Sequence, residues 1–338
     1  MLFELPRFEH VDVTTSEEAS SCLRKYGKMA NVIAGGTDLL GLLKDKVEGP
    51  ELKIPEVLIN IKTMPELNQI AQEEEGLRIG AAVTLSRLEN SEAIRRDFPV
   101  LSQAAHQVGT TQLRNMGTLG GNLCQRPRCM YFRHPHFLCF KKGGSKCFAV
   151  VGEHRDYHAI MKLGKCVMAH PSDTAPALIA LKAEGVIVGP EGKKRVSLRE
   201  FFLGANSTHE TVLKSDQFLR EVQIPYPGAR TRQFFLKQRV RHSGDFALSS
   251  VSVVAQLTDG VCKDISLVLG GIAPLPVVAD RAEEMVRGKR LEEGLIRVAA
   301  EAALEGAKPL PMNLYKNDLT KALVRRALML VSQEVPAV

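Results

Sequence analysis

A block of cysteines sets the strongest limit on how this chain folds. Four of its seven cysteines lie between Cys124 and Cys147, in the run CQRPRCMYFRHPHFLCFKKGGSKC, and Cys166 follows in GKCVMAH. Two prolines and a pair of glycines within this block exclude a long helix or strand. Residues 124–166 are therefore predicted to be irregular, with cysteines that bind a metal or remain reduced thiols rather than form disulfides.

Regular structure is predicted on both sides of the block. Thr15 followed by Glu18 forms a capping box that starts a helix, and Gly27 ends it. In the first third of the chain, the apolar strands NVIAGG, EVLINI and LRIGAAVT alternate with helices, which indicates an α/β or α+β domain. A stretch at 225–233 rich in Pro, Gly and Arg predicts a boundary, and the strands and then helices beyond it indicate a compact α+β domain.

Composition limits the class of protein. A chain of 338 residues with 44% hydrophobic and 25% charged residues is typical of a globular protein with two or three subdomains. No run approaches the roughly 18 apolar residues of a membrane helix, and the acidic start lacks a secretory signal. We therefore expect no membrane span and a cytoplasmic protein, unless a partner subunit carries it elsewhere.

The net charge of +7 raises the question of whether the chain binds nucleic acid. Trp is absent, aromatic residues make up 5% of the chain, and no helix-turn-helix, zinc-finger or RNA-binding signature is present. These features argue against nucleic acid. An anionic cofactor or an acidic partner protein accounts for the charge instead.

Two double-glycine motifs are candidates for holding a phosphate. AGGTDLL spans Ala34 to Leu40 and TLGGNL spans Thr118 to Leu123, each predicted at a strand-to-turn junction. Glycine pairs there expose backbone N–H groups and allow a phosphate to approach closely. The alternative is that both are merely tight turns. Neither motif fits G-x-G-x-x-G or the P-loop, so the sequence does not support a Rossmann or NTPase site.

Side chains beside the glycines have candidate roles of their own. A helix predicted over 38–45 would add its positive N-terminal dipole to the first motif. Thr37 and Asp38 are candidate caps for that helix. Thr118 and Asn122 are candidates for hydrogen bonds to a sugar or phosphate.

Together these motifs resemble a known family. NVIAGGTDLL, GTTQLRNMGTLGGNL and HPSDTAPALIAL look like segments of the FAD-binding, or medium, subunits of molybdenum hydroxylases, the xanthine dehydrogenase and carbon monoxide dehydrogenase group. The resemblance extends over essentially the whole chain, including FFLKQRVRHSGDFALSSVSV and the C-terminal DLTKALVRRAL.

The resemblance implies an α+β fold in two domains. The first is a two-subdomain FAD-binding fold of the p-cresol methylhydroxylase type, over residues 1–228, with subdomains at about 1–54 and 55–228 and an iron–sulfur insertion at 124–166. The second, over residues 229–338, is an α+β domain of the carbon monoxide dehydrogenase flavoprotein C-terminal type.

The resemblance also implies a set of cofactor-binding residues. The first glycine motif would hold the FAD pyrophosphate, and the second would contact the ribityl and phosphate region. Asp173 in HPSD matches an acid that hydrogen-bonds the cofactor, and Lys237 in FLKQR matches a lysine near the isoalloxazine ring; without the match, Lys237 is equally well a solvated surface lysine. The full set is Ala34, Gly35, Gly36, Thr37, Asp38, Leu39, Thr118, Gly120, Gly121, Asn122, Asp173, Leu219 and Lys237.

The cysteine block departs from the common family pattern, because about forty residues separate GGNL from HPSD. This insertion resembles a subgroup containing 4-hydroxybenzoyl-CoA reductase and a bacterial three-subunit aldehyde oxidoreductase, whose flavin subunits carry a 4Fe–4S cluster. The subgroup's R-x-R-C-x-Y-F run matches RPRCMYF, which implies Cys129 as the first ligand. Cys139, Cys147 and Cys166 follow as the other three.

The chemistry of the block agrees with a cluster. The spacings of 10, 8 and 19 residues between these cysteines fit neither a zinc ribbon nor a Cys/His finger, whereas a loop can wrap four thiolates around a cube. Arg128, Lys141 and Lys146 are predicted to favour the thiolates. Structural zinc and unliganded thiols remain alternatives.

Other possible ligands in and beyond the block are left out of the set. Cys124 lies outside the matched run, although it forms a C-x4-C pair with Cys129. Cys22 and Cys262 are isolated and are predicted to be small buried hydrophobes. Four histidines are predicted to lie at the surface or beside the ligands, since His ligation of a 4Fe–4S cluster is unusual. They are His134, His136, His154 and His158.

The sequence thus predicts an electron-transfer subunit of a molybdenum-containing oxidoreductase, most like 4-hydroxybenzoyl-CoA reductase. Implied partners are a large molybdopterin-binding subunit, a small subunit with two 2Fe–2S clusters, and an external electron carrier such as ferredoxin. No catalytic residue is expected on this chain, because the cofactors carry the chemistry. The alternatives are the FAD subunit of an aldehyde oxidoreductase or xanthine dehydrogenase-like enzyme, an independent flavin reductase, and a zinc-stabilised binding module.

Overall fold

The computed structural model describes residues 4–333. It contains three β-sheets, each with its own helices and its own apolar core. The α+β class predicted from the sequence is confirmed. No helix within the described residues has both the length and the apolarity to span a membrane.

A small parallel sheet forms the N-terminal unit. Its strand order is β1-β3-β2, and helix α1 connects β1 to β2 along the chain. The predicted capping box is confirmed, since the Thr15 hydroxyl accepts from the Glu18 amide and the Glu18 carboxylate accepts from the Thr15 amide. Buried Ala19 and Leu23 of α1 pack with Ile59 of β3. The elements are β1 (Glu9–Asp12), α1 (Ser16–Tyr26), β2 (Ala30–Ile33), α2 (Leu39–Lys44) and β3 (Val57–Asn60).

An antiparallel five-stranded sheet forms the second unit, in the order β4-β5-β8-β6-β7. Helices α3, α4, α5, α7, α9 and α10 share one core of buried apolar residues with this sheet. The strands are β4 (Ile70–Gln72), β5 (Gly76–Gly80), β6 (Glu184–Gly189), β7 (Gly192–Ser197) and β8 (Phe218–Pro225). The helices are α3 (Leu85–Asn90), α4 (Glu92–Asp97), α5 (Pro99–His106), α6 (Thr111–Met116), α7 (Leu119–Leu123), α8 (Met130–Arg133), α9 (Thr174–Ala180) and α10 (Leu198–Phe201).

The second glycine motif differs from its predicted local structure. Gly120 and Gly121 lie inside α7, a short helix, rather than at a strand-to-turn junction. The Thr118 hydroxyl accepts from the Gly121 amide at 3.2 Å and thereby caps this helix. A local cap therefore outweighs the low helix propensity of two glycines.

The cysteine block is irregular, as predicted. Between Cys124 and Cys166 it contains the single turn of α8 and two 3₁₀ turns, Phe140–Lys142 and Phe148–Val150. Side chains and carbonyls from both neighbouring domains hold it in place. The amide of Ile160, near the end of the block, donates to the carbonyl of Ile272 at 2.8 Å.

The C-terminal unit is an antiparallel sheet in the order β12-β11-β10-β9, covered by three helices. Val324 and Leu328 of the last helix pack on buried residues of the long central strands, such as Val251 and Leu267. The elements are β9 (Thr231–Gln238), β10 (Ser249–Thr258), β11 (Val261–Gly270), β12 (Val277–Val278), α11 (Asp280–Val286), α12 (Glu293–Ala302) and α13 (Tyr315–Ser332).

Candidate functional site

A cavity of about 690 Å³ lies between the N-terminal parallel sheet and the five-stranded sheet. Asn31 and Val32 of β2 line one side, and Phe218 of β8 lines the other. This volume falls within the range typical of small-molecule and cofactor sites. Ten of the thirteen predicted cofactor residues line the cavity: Ala34, Gly35, Gly36, Thr37, Asp38, Leu39, Thr118, Gly120, Gly121 and Leu219.

Each of the four glycines meets a different steric demand. A Cβ on Gly35 would lie 2.1 Å from the carbonyl oxygen of Met116, so only bare backbone lets the two motifs meet. Gly36 has φ +69°, which side chains rarely adopt. A Cβ on Gly120 would lie 2.8 Å from that of Ala81, whereas a Cβ on Gly121 would meet only the Thr118 hydroxyl, at 3.1 Å. Gly121 therefore leaves open space on the cavity side.

The cavity wall also carries basic side chains that sequence reasoning missed. Arg126 follows the second glycine motif, and Lys28, Lys53 and Lys214 line the wall as well. The RPR run directly before Cys129 was the available signal for Arg126. Basic groups beside exposed backbone amides suit an anionic group such as a pyrophosphate. The residues present therefore fit FAD.

Asp38 does not cap α2, contrary to the candidate role derived from the sequence. No side-chain hydrogen bond caps this helix. Instead, the Asp38 carboxylate accepts from the Arg126 amide at 2.7 Å, and from the guanidinium groups of Arg128 at 2.8 Å and Arg133 at 2.6 Å. Asp38 therefore fastens the first glycine motif to the start of the cysteine block.

Three predicted cofactor residues do not line the cavity. The buried amide oxygen of Asn122 accepts from the hydroxyls of Ser172 at 2.6 Å and Thr174 at 2.7 Å, so Asn122 ties α7 to the HPSD segment. The Lys237 ammonium lies 2.6 Å from the Asp173 carboxylate. Both side chains of this pair are almost completely buried, so Lys237 is not a solvated surface lysine.

Burial raises the pKa of the Asp173 carboxyl, and the charge of Lys237 opposes this shift. The Lys237 ammonium also donates to the carbonyl of Gln107 at 2.9 Å. This buried ion pair joins β9 of the C-terminal unit to the N-terminus of α9. The arrangement fixes how the two domains meet.

The four cysteines predicted as ligands line a second, small cavity. Cys129, Cys139, Cys147 and Cys166 share its wall with His158 and with the aromatic rings of Tyr131, Phe132, Phe140 and Phe148. Residues separated by up to 37 positions in the chain are thus brought to one enclosed space. Within residues 4–333, no three ligand side chains converge as they would around a single metal ion.

Burial has the largest effect on the pKa of two of these thiols, and the interaction of the other two with each other has the largest effect on theirs. Burial raises the pKa of Cys129 to about 11 and also raises the pKa of Cys139. Cys147 and Cys166 hydrogen-bond to each other, which lowers the pKa of Cys147 to about 6 and raises that of Cys166. Binding of a metal centre here would release protons from the buried thiols.

The basic residues that were expected to favour the thiolates interact with carboxylates or with solvent instead. Arg128 binds Asp38, and the ammonium of Lys141 pairs with Glu210 at 3.1 Å. Lys146 is exposed. Each charge is therefore met by a carboxylate or by solvent, and burial outweighs their effect on the sulfurs.

Cys124 lies apart from the four cysteines and lines the larger cavity. Burial raises the pKa of its thiol to about 12, so it remains protonated. The exposed rings of His134 and His136 pack against each other. His154 is buried and bonds to the carbonyl of Ala149 and the amide of Met312. None of these four residues lines the cysteine cavity, although His154 bonds to Ala149, which does.

His158 differs from the other three histidines. It lines the cysteine cavity, and its Nε2 lies 3.3 Å from Sγ of Cys129. Burial and the nearby Lys316 ammonium lower its pKa to about 4, so the imidazole is neutral at neutral pH. A lone histidine outside any spacing motif gave no signal in the sequence that separates it from its neighbours.

Comparison with known proteins agrees with this geometry. Residues 6–227 match the family described as "FAD binding domain in molybdopterin dehydrogenase", and residues 234–331 match "CO dehydrogenase flavoprotein C-terminal domain". The aldehyde oxidoreductase FAD-binding subunit PaoB of Escherichia coli is 34% identical over 318 residues, which cover 93% of this chain and 94% of the relative. The nicotinate dehydrogenase FAD-subunit of Eubacterium barkeri is 29% identical and covers 94% of both chains.

Solved structures share the fold. A chain of the carbon monoxide dehydrogenase from Hydrogenophaga pseudoflava superposes with a TM-score of 0.77 at 27% identity, covering 96% of this chain and 97% of that one. A chain of the reconstituted CO dehydrogenase from Oligotropha carboxidovorans has a TM-score of 0.78 at 22% identity, covering 97% and 99%. These matches, together with the glycine-lined cavity, identify the chain as a member of the FAD-binding, or medium, subunits of the molybdenum hydroxylases, which serve in oxidoreductase complexes.

Proposed function

We propose that this chain is the FAD- and 4Fe–4S-containing electron-transfer subunit of a three-subunit molybdenum-containing oxidoreductase. The observation that carries the proposal is the cysteine cavity. Four thiols separated by 10, 8 and 19 residues face one enclosed space beside the glycine-lined cavity. Four thiolates are what a 4Fe–4S cluster requires, and a tetrahedral zinc would need the sulfurs to converge within about 2.3 Å of one point.

In this proposal the glycine-lined cavity holds FAD, which exchanges two electrons with one partner and single electrons with another. Gly121 leaves room for a phosphate, and Lys53 and Lys214 place positive charge on the same cavity wall. Leu219 and Phe218 supply apolar wall on the opposite side. The residues of this chain bind and orient the cofactor and exclude water, so no general acid or base is needed here.

The buried Asp173–Lys237 pair has a supporting role in this proposal. Lys237 projects from β9 and Asp173 begins α9, so the pair locks the C-terminal domain onto the FAD-binding domain. We infer that the two residues, with Asn122, set the position of the segments around the flavin rather than form the wall of the larger cavity. This role refines the contacts that the family resemblance implied.

The partners follow from the family. We propose that a large molybdopterin-binding subunit carries substrate chemistry and that a small subunit with two 2Fe–2S clusters connects it to this chain. An external one-electron carrier such as ferredoxin would meet the 4Fe–4S cluster. For the substrate, the 34% identity to an aldehyde oxidoreductase subunit favours an aldehyde, which was the alternative to the 4-hydroxybenzoyl-CoA reductase type in the sequence analysis.

Metal analysis of the anaerobically purified subunit tests the cluster. We expect about four irons and four inorganic sulfides per chain, with flavin bands and a broad iron–sulfur shoulder in the absorbance spectrum. Serine at any of the four cavity cysteines removes or degrades the cluster. Serine at Cys22 or Cys262 provides the control, since neither lines the cavity. Zinc without sulfide would refute the cluster, and flavin without iron would favour an independent flavin reductase.

A second experiment asks whether the cluster carries electrons. The Cys139→Ser variant, selected for retained FAD, is assayed in the assembled complex with an artificial dye and with ferredoxin. Loss of the ferredoxin-linked rate alone supports a redox role. If the variant is less stable but keeps equal rates with both acceptors, the cluster has only a structural role.

A further inference from the structure

His158 brings an imidazole ring to the wall of a cavity lined mainly by thiols and apolar side chains; another polar lining residue, Lys141, is paired with Glu210. Its ring is buried, and Nε2 lies 3.3 Å from Sγ of Cys129. Nδ1 is also buried and has no hydrogen-bond partner within residues 4–333. A neutral imidazole carries one proton, on one nitrogen or the other. When Cys129 is a thiolate, only the Nε2–H form gives this ring a hydrogen bond, so the sulfur selects that tautomer.

The backbone of His158 is held by the C-terminal domain. Its carbonyl oxygen accepts from the Lys316 ammonium at 3.0 Å and from the Asn313 amide at 3.4 Å. Lys316 also donates to the carbonyls of Asp156 at 2.8 Å and Gly271 at 2.9 Å. Two of these hydrogen bonds hold the His158 backbone directly and two hold the Lys316 ammonium, although the nearest regular strand or helix is several residues away from His158.

We propose that His158 donates an N–H···S hydrogen bond to the Cys129 thiolate and so raises the reduction potential of the cluster that this thiolate helps to hold. The inference rests on the proposed 4Fe–4S cluster and names a positioning and tuning residue for it. Hydrogen bonds to cluster sulfurs are among the means by which a protein sets reduction potential. The bond strengthens when the cluster gains an electron, because negative charge on the sulfur increases; the proton stays on Nε2 throughout.

The test is a redox titration of the assembled complex followed by electron paramagnetic resonance. His158→Phe and His158→Met remove the donor and keep an uncharged side chain in the space, whereas His158→Gln keeps an N–H donor. His154→Gln is the matched control, since His154 is equally buried but bonds to Ala149 and Met312. Iron and sulfide are measured on every variant before its potential.

With iron and sulfide intact, Phe and Met at position 158 should make the cluster harder to reduce. At the wild-type midpoint potential we expect the ratio of reduced to oxidised cluster to fall by about tenfold, the equivalent of 59 mV for one electron. His158→Gln should lie between these variants and wild type, and His154→Gln should match wild type. If the Phe variant fails to assemble, the Met variant carries the same comparison.

Two results would overturn the inference. One is an unchanged potential in a donor-free variant that retains its full cluster. The other is loss of the cluster in all three His158 variants with retention in Cys129→Ser, which would make His158 a ligand instead. Absence of iron and sulfide from the wild-type protein is a different result, because it would refute the proposed cluster itself.

Discussion

Gly35, Gly36, Gly120 and Gly121 line one cavity wall for three separate physical reasons. Gly35 and Gly120 have no space for a Cβ atom, because it would collide with Met116 and Ala81, respectively. Gly36 is required by its positive φ, and Gly121 alone faces open space. The consequence of a substitution therefore differs at each position, although the sequence shows two identical pairs.

Gly121→Val should abolish FAD retention without unfolding the protein. The added Cβ meets only the Thr118 hydroxyl, which must shift by a few tenths of an ångström, and the rest of the side chain occupies the space in which a phosphate would lie. Flavin content after gel filtration measures the loss, and the thermal midpoint should stay within a few degrees of wild type. Gly35→Ala should instead lower the thermal midpoint, because its Cβ collides with the Met116 carbonyl. Stoichiometric flavin in Gly121→Val would show that the phosphate lies elsewhere.

His170 should make the protein less stable in mild acid. Burial lowers the pKa of this imidazole to about 3, while the unfolded chain binds the proton near pH 6.5. Below pH 6.5 the unfolded state therefore binds more protons, and the free energy of unfolding falls by about 1.4 kcal/mol per pH unit until the folded pKa is reached.

In the wild-type protein the Ser172 amide donates a hydrogen bond to Nδ1 of His170 at 3.4 Å. His170→Asn removes the titrating group and keeps an acceptor for this amide. Urea unfolding at pH 7 and pH 5 measures the effect. Between these values the variant should lose about 2 kcal/mol less free energy of unfolding than wild type. Parallel losses in both proteins would mean that His170 does not carry the acid sensitivity.

At the scale of elements, the cysteine block is held by polar contacts rather than by its own secondary structure. Asp38 fastens its beginning to the first glycine motif through three groups within 2.8 Å. Glu210 pairs with Arg126 near the beginning of the block at 3.0 Å and with Lys141 in its middle at 3.1 Å. Lys316 of α13 donates hydrogen bonds to the carbonyls of Asp156 and His158, near the end of the block. A loop of this length stays ordered because buried charges bind it on three sides.

Asp38→Asn should loosen both the glycine motif and the cysteine block. An amide oxygen still accepts from the Arg126 backbone, but the charge that binds Arg128 and Arg133 is lost. Hydrogen bonds to charged groups contribute roughly 1.5–3 kcal/mol each, so limited proteolysis within residues 124–166 should accelerate and flavin retention should fall. Asp45→Asn at the exposed end of α2 is the control. Equal cleavage rates in the two variants would contradict the role of Asp38.

Lys316→Met should destabilise the junction between α13 and the cysteine block. The ammonium donates to three backbone carbonyls in a fully buried setting. The carbonyls of Asp156 and Gly271 would lose their donor, at about 1–3 kcal/mol each, whereas the carbonyl of His158 keeps the Asn313 amide. We expect urea unfolding to show a loss of at least about 2 kcal/mol. Lys321→Met on the same helix removes only a partly exposed pair with Glu301 and should cost less than about 1 kcal/mol. A similar loss in free energy of unfolding for both variants would contradict a special role for the buried hydrogen bonds of Lys316.

For the whole molecule, the distribution of charge singles out one region. Residues 124–166 contain nine basic and two acidic residues, a net charge of +7 that equals the net charge of the entire chain. The rest of the chain is balanced. Lys146, Lys162 and Lys165 of the block are exposed. Positive charge thus surrounds the cysteine cavity, where an acidic carrier protein would be steered.

Electron exchange with an acidic carrier should therefore depend on salt and on these lysines. We expect Lys162→Glu with Lys165→Glu to slow the ferredoxin-linked rate of the complex by about tenfold at low ionic strength and much less in high salt. The rate with a neutral dye should be unchanged. Lys193→Glu with Lys194→Glu, two exposed lysines on the edge strand β7, is the matched control. A salt-independent rate would place the carrier on another surface.

The sequence by itself determined the features that depend on neighbouring residues. The capping box of α1 acts over three residues, and the glycine and proline content of the cysteine block excluded regular elements there. Alternating strands and helices in the first third of the chain indicated an α/β or α+β domain, and the motifs together with their resemblance implied the α+β fold and identified the family. In each case the physical cause lies within a short stretch of chain, where composition and spacing are sufficient.

Only the tertiary structure decided how distant residues use their polar groups. Asp38 had the sequence position of a helix cap, but arginines about 90 residues away bind it instead. Asn122, Asp173 and Lys237 matched the family's cofactor contacts. In this structure Asn122 accepts hydrogen bonds from Ser172 and Thr174, on either side of Asp173, and Asp173 pairs with Lys237. His158 reaches Cys129 because α13, from the end of the chain, holds its backbone. A buried polar group binds whichever partner folding brings to it, and that partner's distance along the chain cannot be read from the residues around either one.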